Sequence, residues 1–237
     1  GKLNLGDMAY LEIVGKLPTP QQSQVFNAIL VTLVEHGLTP MAIATRLVYL
    51  GAPESLQAAV AAGLCGMGTT FAGTAEGAAR VLQESLPADP AADLAPVAAK
   101  VVAEFKARGE SIPGIGHPLH KPVDPRTPRL FAIAAENGLR GRYIALMEKI
   151  AAEAERVSGR SLPINATGAI GAICCELGIS WKAARGIAVI GRAVGLVGHL
   201  VEEQSEPIAR EIWLRAEEEA SDNERANENT NPKGGNA

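Results

Sequence analysis

The feature that most constrains this chain is an almost unbroken succession of helix signals, start caps followed by stop glycines, with no strand signal between them. In Thr19-Pro20-Gln21-Gln22 a threonine stands where a cap belongs, a proline at the first helical position and a glutamine three residues after the cap. This pattern starts helices because the side chains satisfy backbone N–H groups that the first turn leaves unpaired. Val25, Phe26, Ile29, Leu30, Leu33 and Val34 then recur at helical spacing, and Gly37 closes the run. The same reading predicts helices in MAIATRLVYLG, stopped at Gly51, in SLQAAVAAGLCGMG, in TAEGAARVLQE and in PAADLAPVAAKVVAEFKARG, which ends at Gly109. RLFAIAAENG, GRYIALMEKIAAEAERVSG and AIGAICCELGI continue the series, and Ser180 caps WKAARGIAVIGRAVGLVGHLVEE. That segment is apolar on most sides and reads as a central buried helix. PIAREIWLRAEEEA follows it. No segment alternates apolar and polar residues between hairpin turns, so strands should be few and the chain all-α.

The 237 residues are 47% hydrophobic, enough for a sizeable core. The formal net charge is -4 with both signs mixed, and aromatic residues make up only 4%. That excludes the concentrated basic footprint and the stacking platforms of a nucleic-acid binder. The 3 cysteines, Cys65, Cys174 and Cys175, lie in apolar segments and read as buried small hydrophobes of a reducing compartment. No cysteine pair has zinc-site spacing, and no metal is expected. GKLNLGDMAYLEIVG lacks a signal-peptide pattern and no uninterrupted apolar run reaches bilayer length, so the expectation is a cytoplasmic protein without a membrane partner. The final ASDNERANENTNPKGGNA has almost no apolar residues and reads as disordered.

Prolines and glycines gather in SLPADPAAD and between Gly109 and Pro128. The expected organisation is a large helical domain of residues 1–83 and 186–219, an inserted smaller helical domain of residues 84–185, and a disordered tail at 220–237. Within the inserted part lies Gly114-Ile115-Gly116-His117-Pro118-Leu119-His120-Lys121-Pro122-Val123-Asp124-Pro125-Arg126. Gly114 and Gly116 let backbone approach a ligand, the prolines stiffen the path, an imidazole moves protons near neutral pH, and Arg126 can grip a carboxylate with two hydrogen bonds. On these residues alone the loop reads equally well as a rigid connector carrying surface histidines.

The wider chain carries a resemblance. The run of glycine, an aromatic or aliphatic residue, glycine and histidine, followed by Asp124-Pro125-Arg126, is similar to the signature of the citrate synthase family. Gly191-Arg192-Ala193-Val194-Gly195-Leu196-Val197-Gly198-His199 resembles that family's arginine helix, Ile208-Ala209-Arg210 its second downstream arginine segment, and His36 with Arg46 its early substrate histidine and the arginine after it. HGLTP and FAGTAEGAARVLQ resemble the branch of citryl-CoA lyases and the lyase domain of ATP citrate lyase. The resemblance implies a citrate synthase-like helical fold and at least a homodimer. It implies His117 and Thr167 as the catalytic positions, with His117 exchanging a proton with the oxygen on the carbon where the bond breaks. His36, Arg126, Arg192 and Arg210 would bind the di- or tricarboxylate, Arg210 in the partner subunit's site. Gly114, Ile115, Gly116, Leu119 and Lys121 would line coenzyme A, which enters as a thioester substrate rather than as a bound cofactor.

Three positions depart from the family pattern. Phe71 stands where synthases carry a histidine, as in the ATP citrate lyase branch. Thr167, in Asn165-Ala166-Thr167-Gly168, stands where the family has the carboxylate that moves the methyl proton of acetyl-CoA; a hydroxyl hydrogen-bonds but is no base near pH 7. Pro118 stands where many relatives have an arginine. Water, His120 or Glu76 would then have to protonate the enolate. The implied activity is cleavage of citryl-CoA or a related 3-hydroxy-3-carboxyacyl-CoA, with a citrate synthase-like condensing enzyme and a non-catalytic acyl-CoA or carboxylate binder as the alternatives. His199 reads as a core histidine, Glu202 and Glu203 as a solvated helix end, Trp181 and Trp213 as packing anchors, and Cys174 and Cys175 as unactivated thiols.

Overall fold

The computed structural model describes the backbone of residues 1–117 and 121–230, and side chains of 1–117 and 121–222. Among these residues there are helices and no named strand. They are α1 (Leu5–Val14), α2 (Pro20–Val34), α3 (Pro40–Gly51), α4 (Leu56–Cys65), α5 (Gly73–Ser85), α6 (Leu94–Arg108), α7 (Arg126–Glu136), α8 (Arg142–Ser158), α9 (Ala166–Glu176), α10 (Trp181–Ser205) and α11 (Ala209–Thr230). Among the described residues an isolated antiparallel bridge joins Ile115 and Ile164.

The caps act as their residue types dictate. Thr19 accepts from the Gln22 amide and Gln22 reaches back to the Thr19 amide. Gly109 and Gly159 close α6 and α8 in the left-handed conformation, which glycine adopts without a Cβ clash. Helix α1, not expected from apolar spacing, starts at the reciprocal capping box of Asn4 and Asp7.

The chain divides into two compact units, residues 1–35 with 67–192 and residues 36–66 with 193–237. These boundaries do not coincide with the 84 and 185 expected from composition. The reason is packing: α5 lies against α9 and α1–α2 joins α7, so segments before residue 84 share a core with those after it.

In the first unit α9 is the central helix. Every residue from Gly168 to Cys175 is buried. The expectation gave that place to α10, which instead exposes Val194, Val197 and Val201 on one face. α9 can sit inside because it is built of small residues. A Cβ on Gly171 would lie 2.8 Å from the Ala75 carbonyl oxygen of α5, so glycine permits the close approach of these two helices. Tyr10 and Phe26 pack edge to face at 5.3 Å between ring centroids in the same core.

In the second unit α3 packs on α4 and on α11. Its Arg46 is 1% exposed and lies between the end of α10 and the start of α11. α10 contributes to both units. Among the described residues it is also the helix whose length and composition would suffice to cross a membrane, although Arg185 and Arg192 interrupt its apolar runs. Half of its most apolar 18-residue stretch is buried inside the protein, as in a core helix. Four further expectations are corrected. Cys65 is exposed, because it ends α4 on the outside. Trp213 is exposed on α11. Glu203 is buried rather than solvated, because it serves Arg46. α11 continues to Thr230, past the residue 220 where disorder was expected; the Ala- and Glu-rich run from Ala216 to Ala220 favours helix without needing a core.

Candidate active site

Three motifs that lie apart in sequence converge on the N-terminus of α9. Asn165 caps this helix, its Oδ1 accepting from the Gly168 amide at 3.0 Å and from the Thr167 hydroxyl at 2.7 Å. The sequence reading began this helix at Ala169, so Asn165-Ala166-Thr167-Gly168 is not a loop but a cap and first turn. From the other side of the same asparagine, Nδ2 donates to the Gly116 carbonyl at 2.7 Å and the backbone amide donates to the Gly114 carbonyl at 3.0 Å. The Gly116 amide donates to Pro163 at 2.7 Å. One residue thus ties the glycine-histidine loop to the threonine turn.

The Asp-Pro-Arg segment is fastened to the same place. Asp124 is fully buried, and its Oδ2 accepts from the Ala166 amide at 2.9 Å. Arg126 donates to both carboxylate oxygens, from Nε at 2.9 Å and from Nη2 at 2.8 Å. Thr127 donates to the Ile164 carbonyl at 2.8 Å. Burial pushes the Asp124 carboxyl up, but the Arg126 guanidinium and the amides of Ala166 and Arg126 outweigh it and hold the group at about 2. Arg126, expected to grip substrate, therefore has one edge of its fork committed to Asp124, while its side chain remains 30% exposed.

Gly114 is a glycine for a packing reason. Its φ is 83°, and a Cβ there would lie 2.4 Å from the Gly168 Cα. A Cβ on Gly168 would in turn meet the Gly114 carbonyl oxygen at 2.4 Å. The expected close approach of backbone to a ligand is at this position a close approach to α9. Gly116, with φ 85°, has room for an added Cβ at ordinary contact distance.

Beside this junction opens a cleft of about 640 Å³. Gly114, Ile115, Gly116 and Asn165 form one wall, and Gly73, Glu76 and Arg80 of α5, Arg108 at the end of α6 and Arg185 of α10 form others. Arg185 pairs with Glu76 at 2.7 Å and Arg108 with Glu110 at 2.8 Å. These three arginines went unnoticed in the sequence, because each sits in an ordinary amphipathic helix pattern and only the fold brings them to one cleft. Glu76, considered above as a proton source, has its carboxylate engaged by Arg185.

Of the other expected residues in this unit, His117, next to Gly116, is half-buried and Lys121 is exposed. Leu119, Pro118 and His120 lie outside the described residues. Arg192 is buried on α10, where its Nη1 has no hydrogen-bond partner among the described residues and the Glu35 carboxylate is 3.9 Å away. Burial lowers its pKa and Glu35 raises it, with burial the larger effect; an arginine stays protonated under such a shift. His36 and Arg210 belong to the second unit, and both are exposed.

Arg46 is not available to a ligand. It donates to Glu203 at 2.6 Å, faces His199 Nδ1 at 2.9 Å and pairs with Glu202. His199 is buried, as a core histidine should be. Phe71 is 44% exposed. Cys174 and Cys175 are buried, and burial raises the Cys175 thiol to about 12, so neither is a nucleophile.

An all-helical unit in which a Gly-x-Gly-His loop and an Asp-Pro-Arg segment are hydrogen-bonded to one helix N-terminus defines the class of the protein. The citrate synthase C-terminal domain model matches residues 6–212, and the chain belongs to the citrate synthase family. It is similar to the structure of citryl-CoA lyase from Hydrogenobacter thermophilus, with 37% identity and a TM-score of 0.79, over 87% of this chain and 78% of that one. It shares the fold of ATP citrate lyase from Methanothrix soehngenii, solved with citrate and coenzyme A, at 22% identity and a TM-score of 0.71 over 86% of this chain and 35% of that one. A probable ATP-citrate synthase of Dictyostelium discoideum is 27% identical over 221 residues. The match takes in 85% of this chain and 34% of that protein, so the chain spans about a third of this curated relative's length.

Proposed function

We propose that the chain is an acyl-CoA lyase that cleaves citryl-CoA, or a related 3-hydroxy-3-carboxyacyl-CoA, to acetyl-CoA and an oxo acid such as oxaloacetate. The observation that carries this reading is the junction at α9: the His117 loop, the Asp124–Arg126 pair and the Thr167 turn are hydrogen-bonded into one structure beside an arginine-lined cleft. The likeness to a citryl-CoA lyase at 37% identity supports it.

Retro-Claisen cleavage requires a base for the tertiary hydroxyl, a stabiliser for the enolate that leaves, and cations for several carboxylates. His117 takes the hydroxyl proton; the C–C bond then breaks, its electron pair passing to the thioester enolate, and a proton from solvent completes acetyl-CoA. The Thr167 hydroxyl, close to the amide-rich start of α9, turns from Asn165 to the enolate oxygen as a hydrogen-bond donor. It cannot take a methyl proton from acetyl-CoA, which favours cleavage over condensation. Arg192, buried with Nη1 lacking a hydrogen-bond partner among the described residues, suits a substrate carboxylate. The family resemblance gives carboxylate-binding roles also to Arg126, to His36 and, in the partner subunit's site, to Arg210, and Ile115 and Gly116, with Gly114 behind them, border the thioester arm. Leu119 and Lys121 extend that border.

Coenzyme A enters as substrate, its phosphates drawn to Arg80, Arg108 and Arg185. The reading includes a homodimer or higher homo-oligomer in the cytoplasm, in keeping with three free cysteines. The test is release of oxaloacetate from citryl-CoA, followed by coupled reduction to malate. Wild-type protein should turn over, and His117→Ala should lose activity by about 10²-fold or more; equal rates for the two would sink the proposal.

A further inference from the structure

The chemistry at α9 leaves a buried ion pair unused, Glu203 with Arg46. Glu203, near the end of α10, has a side chain only 5% exposed. Its Oε1 accepts from two backbone amides, Ile208 at 3.0 Å and Ala209 at 2.8 Å. Its Oε2 accepts from Arg46 at 2.6 Å. The two amides are those at the start of α11, and the next residue is Arg210. A helix start is normally capped by a serine, threonine, aspartate or asparagine at its own N-cap. Here Pro207 has no N–H and Ile208 no acceptor, so a carboxylate from the preceding helix does the capping. That carboxylate is fixed by an arginine buried beneath it, which is itself held by His199 and Glu202.

We infer that Glu203 is a positioning residue for Arg210: clamped by Arg46, it fixes the first turn of α11 and so the direction in which Arg210 presents its guanidinium to a substrate carboxylate. This rests on the proposed carboxylate-binding role of Arg210. The arrangement favours this over a purely structural cap for two reasons. The Ala209 amide is buried and needs a partner, yet a neutral acceptor would satisfy it, whereas here a buried charge held by a buried arginine is used. Arg210 follows directly on the clamped Ala209 amide and carries no ion pair among the described residues, so the rigidity is delivered to a cation with no other anchor. An arginine whose backbone is pre-set loses less entropy on binding.

The test is a double-mutant cycle on citrate binding by titration calorimetry, with wild type, Glu203→Gln, Arg210→Ala and the double variant of the full chain. Glutamine keeps an acceptor for the amides but turns a donor toward Arg46, which retains Glu202 and His199, so the fold should survive; circular dichroism and melting temperature check this. Arg210→Ala should weaken citrate about tenfold or more, the value of a charged hydrogen bond. Glu203→Gln should weaken it about three- to tenfold, and should add less than about twofold once Arg210 is gone. Multiplying effects, a Glu203→Gln protein with unchanged affinity, or a wild type that does not bind citrate would overturn the inference. A citryl-CoA cleavage assay on the same proteins separates the two readings. Coupled citrate binding without cleavage would leave the positioning role intact and reject the lyase alone.

Discussion

At the scale of single residues, Asn165 and Thr167 decide what chemistry the site can run. The Thr167 hydroxyl donates to Asn165 at 2.7 Å, so its proton is placed and its role is that of a donor rather than a base. Replacing it with valine keeps the shape of the side chain and removes the hydrogen bond. If the hydroxyl serves the enolate, kcat for citryl-CoA should fall by about tenfold or more while KM moves little, because the interaction is made in the transition state. A rise in KM at constant kcat would instead make Thr167 a ground-state binding residue. This position was visible in the sequence as a departure from the family pattern. Its partner was not, because nothing in the order Asn-Ala-Thr-Gly says that the asparagine also holds Gly114 and Gly116 from the other side. The role of Arg46 was hidden for the complementary reason. It stands in a family-like register, but burial with Glu203 commits it to structure.

At the scale of elements, the site depends on how closely the loop at Gly114 meets the first turn of α9. The helices themselves were legible, because start caps, stop glycines and apolar spacing are local properties; Thr19, Gly109 and Gly159 behave as their types dictate. The contact between loop and helix was not legible, since it joins residues more than fifty apart and is marked only by two glycines among many. It is testable through them. Gly168→Ala would put a Cβ 2.4 Å from the Gly114 carbonyl oxygen, where backbone has to shift. The cost should be about 1–3 kcal/mol, read as a lowered urea midpoint, and activity should fall further than stability because the His117 loop moves with Gly114. Alanine tolerated at wild-type stability and rate would show that the contact is slack.

At the scale of the whole molecule, the Asp124–Arg126 pair links the site to acid stability. Asp124 is held at about 2 in the fold against an ordinary value of 3.8. A depressed carboxyl binds its proton more weakly when folded than when unfolded, so its contribution is fully present above about pH 4 to 5. It is lost as pH falls through the unfolded value toward 2. The contribution is on the order of 2 kcal/mol. Urea midpoints between pH 2 and 5 should therefore fall less steeply for Asp124→Asn than for wild type, with the asparagine variant weaker at neutral pH. Parallel profiles would remove Asp124 from the account. The all-α class could be read from the sequence because it sums local signals. The division into units could not, because it depends on α5 and α1–α2 sharing a core with distant segments.

The central claim is that the junction at α9 is a site for breaking a carbon–carbon bond in an acyl-CoA thioester. Its most direct test is a single turnover, with enzyme in excess over citryl-CoA, quenched and analysed for both products. The account predicts acetyl-CoA and oxaloacetate appearing together in equal amounts with wild-type protein and not with His117→Ala. Free citrate and coenzyme A in place of those products, or no conversion beyond the His117→Ala protein, would contradict it.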